Sequence, residues 1–73
     1  MQTLRLGSTG PDVKLVQSLL RRIGYNPGPV DGVYGRQTRQ AVIAFQRDNG
    51  FSADGIVGPV TWNAFEKFLR GYA

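Results

Sequence analysis

One stretch of the sequence occurs twice, and this repetition limits the possible folds more than any other feature. Residues 31–42 and 54–65 share an Asp-Gly pair, a second glycine, a threonine and an alanine at a constant offset of 23 residues. Each Asp-Gly pair predicts a tight turn, because aspartate can bond the backbone just ahead of it and glycine adopts positive φ without a Cβ clash. Apolar residues then recur at helical spacing. The repeated unit is therefore a glycine loop that leads into a helix.

A weaker third copy lies near the start of the chain. At a constant offset of 29 residues from the middle copy, it pairs Thr9, Val13, Val16 and Gln17 with Thr38, Val42, Phe45 and Gln46. A unit of loop and helix cannot bury its apolar stripe alone, so the copies are expected to pack on one another. We therefore predict an all-α fold: one compact three-helix bundle over residues 1–73, with two Asp-Gly glycine loops and an internal loop-helix repeat.

Proline and glycine positions set the expected ends of the three helices. The first helix is predicted from Pro11 to Ile23, the second from Arg36 to Asp48 and the third from Pro59 to Leu69. Proline suits the first position of a helix, where its missing N–H costs nothing, and Gly24 and Asn49-Gly50 are typical stop signals. The last three residues are expected to fray. No sheet is expected beyond short bridges between loops.

The apolar residues at helical spacing, together with two leucines near the start and Phe51, form the predicted core. The first helix is expected to place Leu19 at the edge of its buried stripe. The full predicted set is Leu4, Leu6, Val13, Val16, Leu20, Ile23, Thr38, Ala41, Val42, Phe45, Phe51, Ala64, Phe65 and Phe68.

The composition argues against catalysis and against metal or cofactor binding. The chain has no cysteine, which excludes disulfides, thiolate zinc sites and a cysteine nucleophile. It has no histidine, the commonest general base and metal ligand. We therefore expect no cofactor, no metal site and no enzymatic activity from these residues.

The formal charge of +4 favours polyanionic partners such as nucleic acid, anionic lipid or an anionic cell-wall polymer. A small basic nucleic-acid-binding helical domain is therefore one alternative. Against it, that function gives the glycine loops no role, and the arginines are not clustered on one recognition helix. They are spread over Arg5, Arg21, Arg22, Arg36, Arg39, Arg47 and Arg70. We expect no binding to nucleic acid.

The sequence has no transmembrane run, and its first residues lack the apolar stretch of a signal peptide. Insertion into a membrane is therefore not expected. Export would have to be arranged elsewhere in a longer protein from which this domain comes.

Two pairs of polar residues in the repeats allow both a structural and a functional interpretation. Asp31 and Asp54 could form a carboxylate pair for acid–base chemistry, as in glycosidases, but each precedes glycine in an equivalent turn and is better placed to cap its own loop. Gln17 and Gln46 could contact a ligand. The favoured interpretation is that their amides satisfy the backbone of the Asp-Gly loops, because buried loop backbone needs partners.

The linked motifs resemble the type 1 peptidoglycan-binding domain, a three-helix module that bacteria and phages attach to cell-wall hydrolases. The resemblance covers nearly the whole chain. It is carried by Leu6-Gly7 with Val13 and Gln17, by Asp31-Gly32 through Phe45-Gln46, and by Asp54-Gly55-Ile56-Val57-Gly58 with Thr61-Trp62. The chain departs from the family at Val16, where leucine is usual, and in its proline-rich stretch from Tyr25 to Val30.

The resemblance implies a non-catalytic, monomeric module that anchors a covalently attached amidase, peptidase or muramidase to peptidoglycan. Its location would be the extracellular cell wall, reached within a larger secreted protein or a phage lysin. The ligand would be the glycan strand, the stem peptide or both.

The ligand-binding residues are predicted around the first glycine loop. We expect a groove beside Tyr34, Arg36, Gln37 and Arg39, where an aromatic face, amide donors and a helix N-terminus converge. Trp62 is a further candidate for stacking on a sugar or peptide. Both aromatic residues have a structural alternative: Trp62 could pack at the core edge, and Tyr34 could be the plug that holds its loop down.

Overall fold

Three helices joined by two irregular loops form the fold in the computed structural model, which describes residues 2–71. Helix α1 spans Pro11–Arg22, α2 spans Arg36–Asp48 and α3 spans Pro59–Gly71. The prediction of an all-α three-helix domain is therefore confirmed, and the bounds of α2 are those predicted. Helix α1 ends one residue earlier than predicted, and α3 runs two residues further. Gly71 is the last residue of α3, its expected fraying stays a prediction, and the last two residues lie outside the described part.

The first two helices end in the same way. After α1, Gly24 has φ of +103° and donates to the carbonyl of Arg21 at 3.2 Å, while Tyr25 donates to Leu20 at 2.8 Å. This is the Schellman arrangement, in which a residue with positive φ closes the last turn. After α2, Gly50 has φ of +75°, and the amides of residues 50 and 51 make the equivalent bonds. Both predicted stop signals are confirmed.

Helix α3 continues beyond the predicted end because nothing before residue 71 interrupts it. Residues 66–70 are Glu, Lys, Phe, Leu and Arg, all of which are accepted in helix interiors. Helix α1 stops early because Ile23 already has non-helical backbone angles of −93° and 7°.

Within residues 2–71, β-structure is limited to two isolated antiparallel bridges. Leu4 pairs with Val57 through hydrogen bonds of 3.0 and 2.8 Å, and Thr9 pairs with Val33. The bridges hold the N-terminal segment against both glycine loops, which agrees with the prediction that no sheet forms beyond short bridges.

The core is built mainly by the side chains that the helical spacing predicted. Its buried hydrophobic residues are Leu4, Val13, Val16, Leu19, Leu20, Tyr34, Ala41, Val42, Phe45, Val57, Trp62, Ala64 and Phe65. Thr38 is also buried, as predicted. The ring of Phe45 stacks on that of Phe65 at 4.5 Å between centroids, which joins α2 to α3.

Five predicted core positions need correction. Leu19 is fully buried rather than at an edge, because the buried face of α1 is wider than one stripe. Ile23 is half-buried because the helix has already ended there, and Phe68 and Phe51 only pack against the core from its rim. Leu6 is 51% exposed, because it lies in a turn closed by the bond from the Ser8 amide to the Arg5 carbonyl.

Candidate functional site

The first Asp-Gly loop is clamped by Gln17, whose side chain projects from α1 and is fully buried. Its Oε1 accepts a hydrogen bond from the amide of Gly32 at 3.0 Å. Its Nε2 lies 2.9 Å from the carbonyl oxygen of Val33, 3.1 Å from Oγ1 of Thr38 and 3.2 Å from Oδ1 of Asp31. One buried amide therefore satisfies the backbone of the loop and joins it to the start of α2.

The second Asp-Gly loop repeats this arrangement with Gln46 of α2. Its Oε1 accepts from the amide of Gly55 at 3.0 Å. Its Nε2 lies 2.9 Å from the carbonyl oxygen of Ile56 and 3.1 Å from both Oγ1 of Thr61 and Oδ1 of Asp54. The prediction that both glutamines serve the loop backbone is confirmed. In each repeat, a helix clamps the loop that follows it.

The two aspartates cap their own loops. Oδ1 of Asp31 accepts from the amide of Val33 at 2.9 Å, and Oδ1 of Asp54 accepts from the amide of Ile56 at 2.9 Å. The bond from Val33, followed by that from Gln17, lowers the pKa of Asp31. A general acid needs the opposite shift, so the structure supports the capping interpretation and not the acid–base pair.

Glycine is required at the turn position of each loop. Gly32 has φ of +78° and Gly55 has φ of +74°, a region that side chains with the L configuration rarely adopt. Gly35, by contrast, precedes α2 with φ of −94° in extended backbone, and a Cβ there would meet nothing within 4 Å. The expectation that Gly35 also needs positive φ is wrong.

Tyr34 is the plug between the two loops and not an exposed aromatic face. Its side chain is 1% exposed, and its hydroxyl donates to the carbonyl oxygen of Gly55 at 2.7 Å. Burial raises the pKa of the Tyr34 phenol, which keeps it protonated as a donor. Its predicted role as a ligand contact needs correction, because neither face of the ring is open in this conformation.

The side chain of Trp62 is also buried. It is 5% exposed, its indole Nε1 donates to the carbonyl oxygen of Gln2 at 2.6 Å, and its ring packs edge-on against Phe65. The core-edge interpretation holds for this conformation, and the tryptophan anchors the N-terminal segment on α3.

The three polar residues predicted beside Tyr34 are exposed on the first turn of α2. Arg36 faces solvent, Gln37 lies against Gly28, and Arg39 passes the backbone of Gly55. Their role as ligand contacts stays a prediction. The preceding loop covers the start of α2 through the buried residues Pro27 and Gly28.

An open groove of about 290 Å³ lies instead in the second repeat, at the start of α3. Residues of the second glycine loop and of the first turn of α3 line it, and most of the lining is apolar. Its lining residues are Gln46, Phe51, Ser52, Asp54, Ile56, Gly58, Pro59, Val60 and Thr61. The sequence analysis missed this site. The available signal was spacing: Gln17 precedes its aspartate by 14 residues, but Gln46 precedes its aspartate by only 8.

Residues 2–71 contain neither a candidate metal centre nor a candidate membrane span. No group of three or more acidic side chains is close enough together to hold a metal ion. No helix in the same range has both the length and the apolar character that crossing a membrane requires.

Comparison with known proteins gives consistent relatives. The chain is 46% identical over 52 residues to the N-acetylmuramoyl-L-alanine amidase CwlM of Mycobacterium tuberculosis, covering 71% of this chain and 13% of the amidase. It is 44% identical over 75 residues to the spore cortex-lytic enzyme of Bacillus subtilis, covering 97% of this chain and 25% of that enzyme. The chain thus spans a quarter or less of these two relatives.

Solved structures agree with the sequence relatives. The crystal structure of the SleB N-terminal domain matches with a TM-score of 0.87 and 38% identity, and the match covers 90% of each chain. The family described as "Putative peptidoglycan binding domain" matches residues 9–65, which is most of the chain. With its two glutamine-clamped loops and this extent of similarity, the chain belongs to the peptidoglycan-binding domain family.

Proposed function

We propose that this domain is a non-catalytic module that binds peptidoglycan and holds an attached cell-wall hydrolase on its substrate. The observation that carries the proposal is membership of the peptidoglycan-binding family over residues 9–65. The use of the loop groups supports the non-catalytic part, because Asp31 and Asp54 are both engaged in capping. The domain can therefore bind a ligand on its surface, but these two carboxylates are not free for acid–base chemistry.

The relatives support the proposal that an enzyme is attached to this domain. Their names describe an amidase and a cortex-lytic enzyme, and the matched region is only 13% and 25% of their lengths. We infer that this chain acts in the same setting, as a monomeric module of a larger protein located in the cell wall. Weak binding is sufficient there, because a polymeric wall offers many adjacent sites and raises avidity.

Two surfaces are proposed to contact the wall. The first is the groove at the start of α3, which offers a mainly apolar lining. The second is the exposed polar set Arg36, Gln37 and Arg39, retained from the sequence prediction, whose positive charge suits wall carboxylates or phosphates.

The test is cosedimentation of the purified domain with insoluble sacculi. Sacculi stripped of anionic polymers, at raised salt, should still retain the domain, and no fragments should be released. Loss of all binding to stripped sacculi would reduce the function to charge attraction. Released sugars or peptides would contradict the non-catalytic part.

DNA binding by the same purified domain, measured at several salt concentrations, tests the alternative that the domain binds nucleic acid. DNA binding through several phosphate contacts would weaken by about one log unit per log unit of salt for each contact. We expect no DNA complex at physiological salt. A tight complex with that steep salt dependence, together with no binding to sacculi, would favour the alternative.

Single Arg36→Ala and Arg39→Ala variants test the second proposed surface by cosedimentation with sacculi, and Arg22→Ala is the exposed control on α1.

A further inference from the structure

We propose that the groove at the start of α3 binds a peptide. One main-chain carbonyl of this peptide accepts the hydroxyl hydrogen of Thr61, and the next residue of the peptide has the D configuration. This inference rests on the proposed function and deepens it. It assigns the contact to the peptide part of peptidoglycan, which contains D-amino acids, and not to its glycan.

The first repeat shows how such a site is filled. There the chain lays its own segment Pro27-Gly28 over the start of α2, and both residues are buried. The hydroxyl of Thr38 donates to the carbonyl oxygen of Pro27 at 2.8 Å. Gly28 lies so close to Gln37 that a Cβ on it would come 3.0 Å from Oε1 of that side chain. A non-helical backbone segment is thus bound by a threonine hydroxyl and lies against the helix residue that precedes this threonine.

The second repeat has the same threonine and glutamine at equivalent positions, but no segment of residues 2–71 is bound to the threonine hydroxyl as Pro27 is in the first repeat. Thr61 stands 23 residues after Thr38, and each hydroxyl accepts from Nε2 of its clamping glutamine at 3.1 Å. Thr61 is 4% exposed and lines the groove. Within residues 2–71, no group accepts its hydroxyl hydrogen. A buried donor is therefore available in the second repeat at the point where its counterpart holds the Pro27 carbonyl.

Loop length explains why the second site is open. The aspartate of the first loop follows its glutamine by 14 residues and that of the second loop by only 8, and the shorter connection leaves no segment to double back over α3. Phe51 and Ser52 then form the side of the groove instead of covering it. At the position equivalent to Gln37, Val60 is 63% exposed and presents an apolar surface to an incoming chain.

The backbone of the internal segment indicates the stereochemistry. Gly28, the residue after the bound carbonyl, has φ of +84°. L-residues are disfavoured in that region, whereas D-residues, as their mirror images, prefer it. A separate peptide that follows the same path would therefore place a D-residue after the carbonyl bound by Thr61.

The test is an NMR titration of the isolated domain with two neutral probes, N-acetyl-L-alanyl-D-alanine amide and its L,L diastereomer. The crystal structure of the related SleB N-terminal domain supports use of the isolated unit. We expect amide shifts confined to residues 51–61 and binding of the L,D probe about three-fold or more tighter than the L,L probe. A chitin oligosaccharide serves as the glycan control and should leave the groove unshifted.

Two matched variants locate the site without disturbing the clamp. Val60→Asp should weaken L,D-probe binding about five-fold, because it removes apolar contact at the groove. Val33→Asp makes the same change at an exposed valine of the first glycine loop and should leave binding unchanged. Thr61→Ser, which keeps the hydroxyl, should bind like the parent, whereas Thr61→Val should not.

The outcomes separate this inference from the proposed function. Equal affinity for the two diastereomers, shifts outside the groove, or groove shifts with the oligosaccharide would overturn the inference. If the parent and Val60→Asp bind sacculi equally, the inference is wrong and the proposed function stands. If the L,D probe binds in the groove but sacculi are not retained, the peptide site stands and the proposed function fails.

Discussion

The hydroxyl of Tyr34 donates a 2.7 Å hydrogen bond to the carbonyl oxygen of Gly55, so a side chain of the first glycine loop fastens the second. The bond is buried and links residues 21 positions apart. Together with the two glutamine clamps, it makes the loops one connected structure beneath the groove. The first three predictions test this connection, and the fourth tests the capping carboxylate of the first loop.

Tyr34→Phe should lower the free energy of unfolding by about 1–3 kcal/mol, because the Gly55 carbonyl would remain buried without its donor. The melting temperature of a domain this small should fall by about 4–8 °C for each kcal/mol. Thermal unfolding followed by circular dichroism measures the change. Tyr25→Phe is the matched control, because Tyr25 donates to Asp48 at an exposed site and should cost less than about 1 kcal/mol. Equal melting points for the parent and Tyr34→Phe would refute the role of the bond.

Gln46→Met should destabilise the domain by about 3 kcal/mol, since it leaves the Gly55 amide and the Ile56 carbonyl without partners while nearly preserving side-chain size. Gln40→Met, at an exposed position of the same helix, should change stability by less than about 0.5 kcal/mol. Urea unfolding of both variants gives the comparison. A Gln46 variant as stable as the Gln40 variant would show that the clamp contributes nothing.

Alanine substitution should affect stability differently at three glycines of the two loops, Gly32, Gly55 and Gly35. Gly32→Ala should cost about 1 kcal/mol or more, because φ is +78° and the new Cβ would lie 3.3 Å from the Gly10 carbonyl oxygen. Gly55→Ala should also destabilise, with φ of +74°. Gly35→Ala should leave the melting temperature unchanged or slightly higher, since its backbone is extended and unobstructed. A loss at Gly35 equal to that at Gly32 would contradict this account.

Asp31→Asn should make stability less dependent on pH in the acid range. The pKa of Asp31 is lowered in the folded protein, so its carboxylate contributes stability above the unfolded pKa of about 3.9, and this contribution is lost as pH falls through the folded pKa. The stability difference between the parent and the variant should therefore be larger at neutral pH than in strong acid. Urea unfolding at several pH values measures it. Parallel curves for the two proteins would show that the charge on Asp31 does not matter to folding.

Features that depend on local chemistry can be predicted from the sequence. The three helices, the stops at Gly24 and Gly50, the turns at Gly32 and Gly55, and most of the core could be predicted, because capping, φ preference and apolar spacing act within a few residues. The glutamine clamps could also be predicted, since buried loop backbone must find partners and the repeats offered the same amide twice. The repeat and its linked motifs carried enough information to indicate the family.

Which surfaces are open depends on how distant parts of the chain pack together. Tyr34 and Arg36 are neighbours of the same loop in sequence, yet one is buried and the other exposed, because Tyr34 reaches a carbonyl of the other repeat. Leu6 faces solvent because a turn reverses its direction. The sequence predicted a groove at the start of α2, but the longer first connection covers that place. The shorter second connection leaves the start of α3 uncovered, and an open groove lies there. Helical spacing describes one helix at a time, whereas the openness of a site depends on the path that a distant segment takes over it.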